Sequence, residues 1–112
     1  MWSALSDQTN QTFQMGSPAY EACRDEGEIQ HEVELTTPFL MRRTEVSQEE
    51  WQNLMGYNPS DNAGCDDCPV ENVSFYDTLA YCNALSEAGG LEACYALSGC
   101  TGTPGVGFHH CD

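Results

Sequence analysis

Basic side chains are almost absent from this sequence. Lys and Arg together number 3, against 18 Asp and Glu, so that 112 residues carry a net charge of −15. The basic residues are Arg24, Arg42 and Arg43, and they form no patch that could displace the counterions of a nucleic acid. The same negative field opposes docking on anionic lipid. No apolar run has the length needed to cross a bilayer. Residues 1–10 contain neither the basic start nor the apolar stretch of an export signal. The acidic residues Asp61, Asp66, Asp67 and Glu71 lack the spacing of an EF-hand loop. Gly102, Gly105 and Gly107 neither follow a strand nor open a helix, as a nucleotide-binding turn requires, and no serine lies in a nucleophile elbow.

Cysteine, by contrast, is plentiful at 7 residues. That density fits an oxidising compartment, so an extracellular, periplasmic or cell-surface location is expected, with any export signal upstream of Met1; a cytosolic life with reduced thiols is the alternative. Cys65-Asp66-Asp67-Cys68 is a Cys-x2-Cys pair that can close as a small disulfide, open a zinc site or act as a redox dithiol. The two aspartates oppose a thiolate by like-charge repulsion, which ranks the structural disulfide first. Cys94 and Cys100 are a second candidate pair, Cys111 is expected to find its partner beyond Asp112, and Cys23 has no evident one. Cys82 falls within a helical pattern and is expected as a buried free thiol. His109 and His110, adjacent in a loop-rich tail, do not make a metal site. His31 is expected as a partly buried strand residue.

The length suits one domain with one modest core. Residues 1–11 read as a polar lead-in. Residues 12–15 alternate and stop at Gly16-Ser17-Pro18, and residues 31–35 alternate with His31, Val33 and Leu35 on one face, so both are short strands. The acidic stretch between them is a solvated loop. Ser47 is placed to cap a helix over residues 48–55, with Glu50 closing a capping box and Val46 touching Trp51 as a hydrophobic staple. Trp51 and Leu54 face its core and Gly56 stops it. Ser74 caps a second helix, Asp77 supplies charge at its positive end, and Phe75, Leu79, Cys82 and Leu85 form its apolar stripe up to Gly89-Gly90. Residues 98–107 are rich in Gly, Thr and Pro and read as loop.

The ordered set Phe13, Met15-Gly16-Ser17, Thr44-Glu45-Val46-Ser47, Trp51, Met55-Gly56, Asn58-Pro59, Pro69-Val70, Val73-Ser74-Phe75, Asp77 and Tyr81-Cys82 resembles the front half of the formylglycine-generating-enzyme, or sulfatase-modifying-factor, family. That family has a C-type-lectin-like fold. The resemblance implies an α+β domain with short irregular strands and two helices, of which residues 12–112 are the amino-terminal part. The family's Arg-Leu-Pro-Thr-Glu-Ala-Glu-Trp-Glu segment and its catalytic cysteines are expected beyond Asp112, so no catalytic or metal residue is assigned within the chain.

For the complete parent, the resemblance implies an exported oxygen-dependent oxidase acting on a cysteine in a protein or peptide substrate, with copper or calcium in the whole domain and no cofactor in this segment. The chain alone is then inactive, and its first partner is the remaining half of its own domain. The alternative is a non-enzymatic binding or structural module on the same scaffold. An iron-dependent sulfoxide-synthase relative would need a His-x3-His-x-Glu motif, which the sequence lacks.

Overall fold

A computed structural model describes residues 2–4, 11–103 and 107–112, and they divide after Thr44 into two compact units. The arrangement is α+β, with short paired strands in both units and two helices in the second.

The first unit holds two antiparallel ribbons. Strand β1 (Trp2–Ala4) lies in the stretch read as a lead-in, yet it pairs with β4 (Leu40–Arg42). Strand β2 (Gln11–Met15) pairs with β3 (His31–Leu35) in the register Phe13 opposite Val33 and Met15 opposite His31. Alternation therefore puts Phe13, Met15, Val33 and His31 on one face and Thr12, Gln14, Glu34 and Glu32 on the other. His31 is exposed rather than partly buried, because a two-stranded ribbon offers no layer to cover it; its Nδ1 donates to the Ile29 carbonyl at 2.9 Å. Gly16 ends β2 at φ +99°, where a Cβ would stand 2.7 Å from the Ile29 carbonyl oxygen, so the chain needs glycine there. The acidic loop that follows is held by Arg24, which donates to the carbonyls of Ser17 at 2.9 Å and Glu28 at 3.2 Å.

In the second unit, helix α1 (Gln48–Met55) and helix α2 (Phe75–Ala88) each begin with a complete capping box. The Ser47 hydroxyl accepts from the Glu50 N–H at 3.2 Å while the Glu50 carboxylate accepts from the Ser47 N–H at 2.9 Å. Ser74 and Asp77 repeat the exchange at 3.1 and 2.9 Å. Gly56 closes α1 in the left-handed region at φ 85°, its N–H donating to Gln52.

Several features of this unit differ from the sequence reading. Phe75 is 70% exposed and Cys82 is exposed, while Leu54, Leu79 and Leu85 are half-buried. The buried side chains of α2 are Asp77 and Tyr81, one turn apart, so the inward face is rotated away from the most apolar stripe. Asp77 closes the cap from the buried side of the helix, against Gly107, and Tyr81 one turn on shares that side.

The tail is also not a loop. Strands β5 (Thr101–Thr103) and β6 (Gly107–His110) pair antiparallel, and a Cys100–Cys111 disulfide ties their base. Cys94 is a free, exposed thiol, which corrects the expected Cys94–Cys100 bridge, and Cys111 pairs within the chain rather than beyond Asp112. Antiparallel pairing brings the residues flanking the hairpin face to face, and Cys100 and Cys111 are those residues. Gly105, part of the excluded glycine pattern, lies outside the described residues.

Replacing Ser74 by Ala is expected to cost about 1 kcal/mol, and Ser47 by Ala a similar amount. Chemical denaturation followed by tryptophan fluorescence measures both. An unchanged midpoint in the two variants would contradict the capping assignment.

Candidate functional site

The first turn of α1 leaves its early N–H groups without helical partners, and the chain supplies them from a distance. Gln48 N–H donates to the Cys68 carbonyl at 2.9 Å and Glu49 N–H to the Asp66 carbonyl at 3.1 Å. Glu50 N–H is taken by the Ser47 hydroxyl and Trp51 N–H by the Ser47 carbonyl. The Cys65–Cys68 loop, closed by its own disulfide, is therefore a capping platform for α1. An antiparallel bridge between Ser47 and Pro69, with Val70 N–H donating to the Val46 carbonyl at 2.9 Å, fastens the platform's far end. Those two cysteines are thus occupied in structure.

The segment from Tyr57 to Asn72 is organised by side-chain amides and carboxylates. Gln48, buried on α1, accepts from Asn58 Nδ2 at 2.9 Å through its Oε1 and donates through Nε2 to the Asn62 carbonyl at 3.2 Å. Asn58 Oδ1 accepts from Ser60 N–H at 3.1 Å, and the buried Ser60 hydroxyl accepts from Glu71 N–H at 3.2 Å. Glu71 returns the contact, its carboxylate accepting from Asn62 N–H at 2.7 Å. Asn72 takes a left-handed φ of 60°, tolerable for asparagine, and donates to the Pro59 carbonyl at 3.0 Å. The Glu71 carboxyl is held below its ordinary value, chiefly by the Asn62 backbone N–H, against a smaller opposing effect of burial.

Beside this network lies an aromatic centre. Trp51, only 2% exposed, stacks on Tyr81 with centroids 4.8 Å apart and planes 6° from parallel, and Tyr57 meets its edge at 6.3 Å. Burial pushes the Tyr57 hydroxyl above its ordinary value, the Asp77 carboxylate adds to the rise, and the Trp51 indole partly offsets it. Among the described residues the buried Trp51 Nε1 meets no acceptor in full hydrogen-bond geometry, so its effect on the Tyr57 hydroxyl is that of a weak, misaligned contact. Gly107 of β6 comes so close to Asp77 that a Cβ would lie 3.2 Å from one carboxylate oxygen, and its φ of +116° also demands glycine. His110 tilts against Tyr76 with ring centroids 5.4 Å apart. Asp77 is thus the point where the α2 cap and the C-terminal hairpin meet.

Chemically, these groups fix positions. The buried carboxylate of Asp77 accepts from the Ser74 backbone, and the amides of the loop saturate one another. Among the described residues no group of three or more His, Cys, Asp or Glu is placed to hold a metal ion, and no helix is long and apolar enough to cross a membrane.

The profile of the sulfatase-modifying factor enzyme 1-like domain matches residues 10–101, as part of a domain of ~170 residues. The chain belongs to that family. It is 41% identical over 59 residues to the chaperone protein LppX of Paenibacillus barcinonensis, a match covering 53% of this chain and 21% of the relative. In structure it is similar to the Treponema denticola variable protein 1, with a TM-score of 0.65 and 33% identity, covering 91% of this chain and 35% of that one. The chain therefore spans about a fifth of one relative and a third of the other. Within the family segment, the capping serines Ser47 and Ser74 and the residues of both helices occupy the scaffold just described.

Sequence reasoning missed Gln48, Ser60, Tyr81 and Cys111 as buried residues. Tyr81 carried a signal, being one turn beyond the capping Asp77. Gln48 and Ser60 carried none, since their burial depends on loop pairings far along the chain.

Because the folded Glu71 value is lowered from 4.5, its contribution to loop stability is full above that value and is lost as pH falls through the lowered one. The Asn62 amide resonance is expected to report an acid transition below pH 4.5 that is absent in Glu71→Gln. A transition at or above the ordinary value would contradict the Asn62–Glu71 contact.

Proposed function

We propose that the chain is the amino-terminal part of a non-enzymatic binding or structural module built on the sulfatase-modifying-factor scaffold, in a protein that works outside the cytoplasm. The observation that carries this reading is the use made of its polar groups: Gln48, Ser60, Glu71 and Asp77 all bond to backbone or amide partners within the fold. A catalytic carboxylate needs to be left facing a substrate, and those of Glu71 and Asp77 are not. Both disulfides also support an oxidising setting. The names of the two relatives, a chaperone protein and a variable protein, are compatible with partner binding.

The second reading is that the parent is an oxidase acting on a cysteine of a protein substrate, and it is favoured by membership of the family. In that case the chemistry, with copper or calcium, belongs to the rest of the ~170-residue domain. Both readings leave the chain without activity of its own.

Incubation of the chain with a Cys-x-Pro-x-Arg peptide, copper and oxygen, followed by mass spectrometry, is expected to show no aldehyde. The same assay on the full-length parent separates the two readings, the module giving none. Turnover by the parent would overturn the module, and turnover by the chain would overturn both.

A further inference from the structure

The ends of α2 and the segment that follows it place two free, exposed thiols, Cys82 and Cys94, on opposite sides of one joint. Helix α2 stops at Gly89 and Gly90, where the chain reverses: Gly89 N–H donates to the Leu85 carbonyl at 3.1 Å, Gly90 adopts φ +74°, and Leu91 N–H donates back to the Ser86 carbonyl at 2.8 Å. The returning chain is then caught a second time. Asn83 donates from Nδ2 to the Tyr95 carbonyl at 2.8 Å and accepts from the Tyr95 N–H at 2.9 Å through Oδ1. A single side chain thus pairs with both backbone groups of one residue, as a neighbouring strand would.

These two anchors fix the path. Ser86 is one turn beyond both Cys82 and Asn83 and lies between their two directions around the axis of α2. A segment held at the Ser86 carbonyl and again at the Asn83 side chain runs back beside the last turns of α2. Cys94 immediately precedes the clamped Tyr95, and Cys82 immediately precedes the clamping Asn83. The remaining cysteines are accounted for otherwise: two pairs are bridged, and Cys23 is in the first unit.

We propose that Cys82 and Cys94 are a redox pair that closes into a third disulfide, sealing the return segment to α2. The oxidant is a small disulfide such as glutathione disulfide. The thiolate of one cysteine attacks it, forming a mixed disulfide and releasing one glutathione thiolate; the second cysteine then attacks the protein sulfur and releases the other. Each protein thiol gives up its proton to solvent, the oxidant's S–S bond is reduced to two thiols, and one protein S–S bond forms. Exposure of both sulfurs gives the oxidant access, and the Asn83–Tyr95 clamp keeps the residues next to the two cysteines together, so that closure needs only a local adjustment to reach a disulfide's narrow Cα separation. Closure would complete a chain of staples from α2 to the end of the hairpin, with the Cys100–Cys111 bridge as its other member.

The test equilibrates the intact chain in a series of glutathione redox buffers, quenches with acid, alkylates free thiols and maps the peptides without reduction. The expected result is a linked pair of peptides carrying Cys82 and Cys94, lighter by two hydrogens than the reduced pair, with Cys23 alkylated. In Asn83→Ala, losing both hydrogen bonds of the clamp is expected to shift the closure midpoint by about tenfold toward more oxidising buffer. Cys82→Ser should leave Cys94 alkylated while Cys100–Cys111 persists. The proposal is overturned if Cys82 and Cys94 are both alkylated in the most oxidising buffer, if Cys94 links instead to Cys23 or Cys100, or if closure is indifferent to Asn83→Ala.

Discussion

The stack of Trp51 on Tyr81 is the contact on which the second unit depends. It joins α1 to α2 through a parallel ring pair at 4.8 Å, and Trp51 is the largest fully buried side chain among the described residues. Apolar burial elsewhere in the unit is sparse, since the leucines of both helices are only half-buried. A buried tryptophan removes more apolar surface from water than any other side chain here, so the relative position of the helices follows from this one pair. Tyr57 at its edge and Asp77 one turn before Tyr81 extend the same centre to the loop and the hairpin.

Around that centre the chain uses polar pairing where a larger protein would use more core. The Cys65–Cys68 loop accepts the first N–H groups of α1, and the Gln48–Asn58–Ser60–Glu71–Asn62 ring holds the long connection between the helices. Leaving the buried Gln48 amide or Ser60 hydroxyl unpaired would cost more than its bond returns, so these two members hold the ring most strongly. The resemblance read from the sequence includes the loop residues Asn58, Pro59 and Pro69, which make these pairings. They set the loop pairings that let a small core suffice.

Both helix starts were legible in the sequence because capping is local: Ser47 with Glu50 and Ser74 with Asp77 interact within one turn. The α+β class and the family followed from the order of such short signals. The inward face of α2 was not legible from hydrophobicity, since Phe75 and Cys82 outrank Asp77 on any apolar scale and yet face solvent. Nor was the C-terminal hairpin, because residues 98–107 show no alternation; its strands are held by Cys100–Cys111 and by Gly107 approaching Asp77. In the candidate site, Gln48 and Ser60 owe their burial to partners ten or more residues away, which no local pattern encodes.

Amide hydrogen exchange on Trp51→Ala tests the central dependence most directly. Truncating a buried tryptophan costs about 3–5 kcal/mol. If the Trp51–Tyr81 stack joins the helices, protection in Gln48–Met55 and Phe75–Ala88 falls together. Loss confined to α1, with α2 protected as in the parent chain, would contradict it.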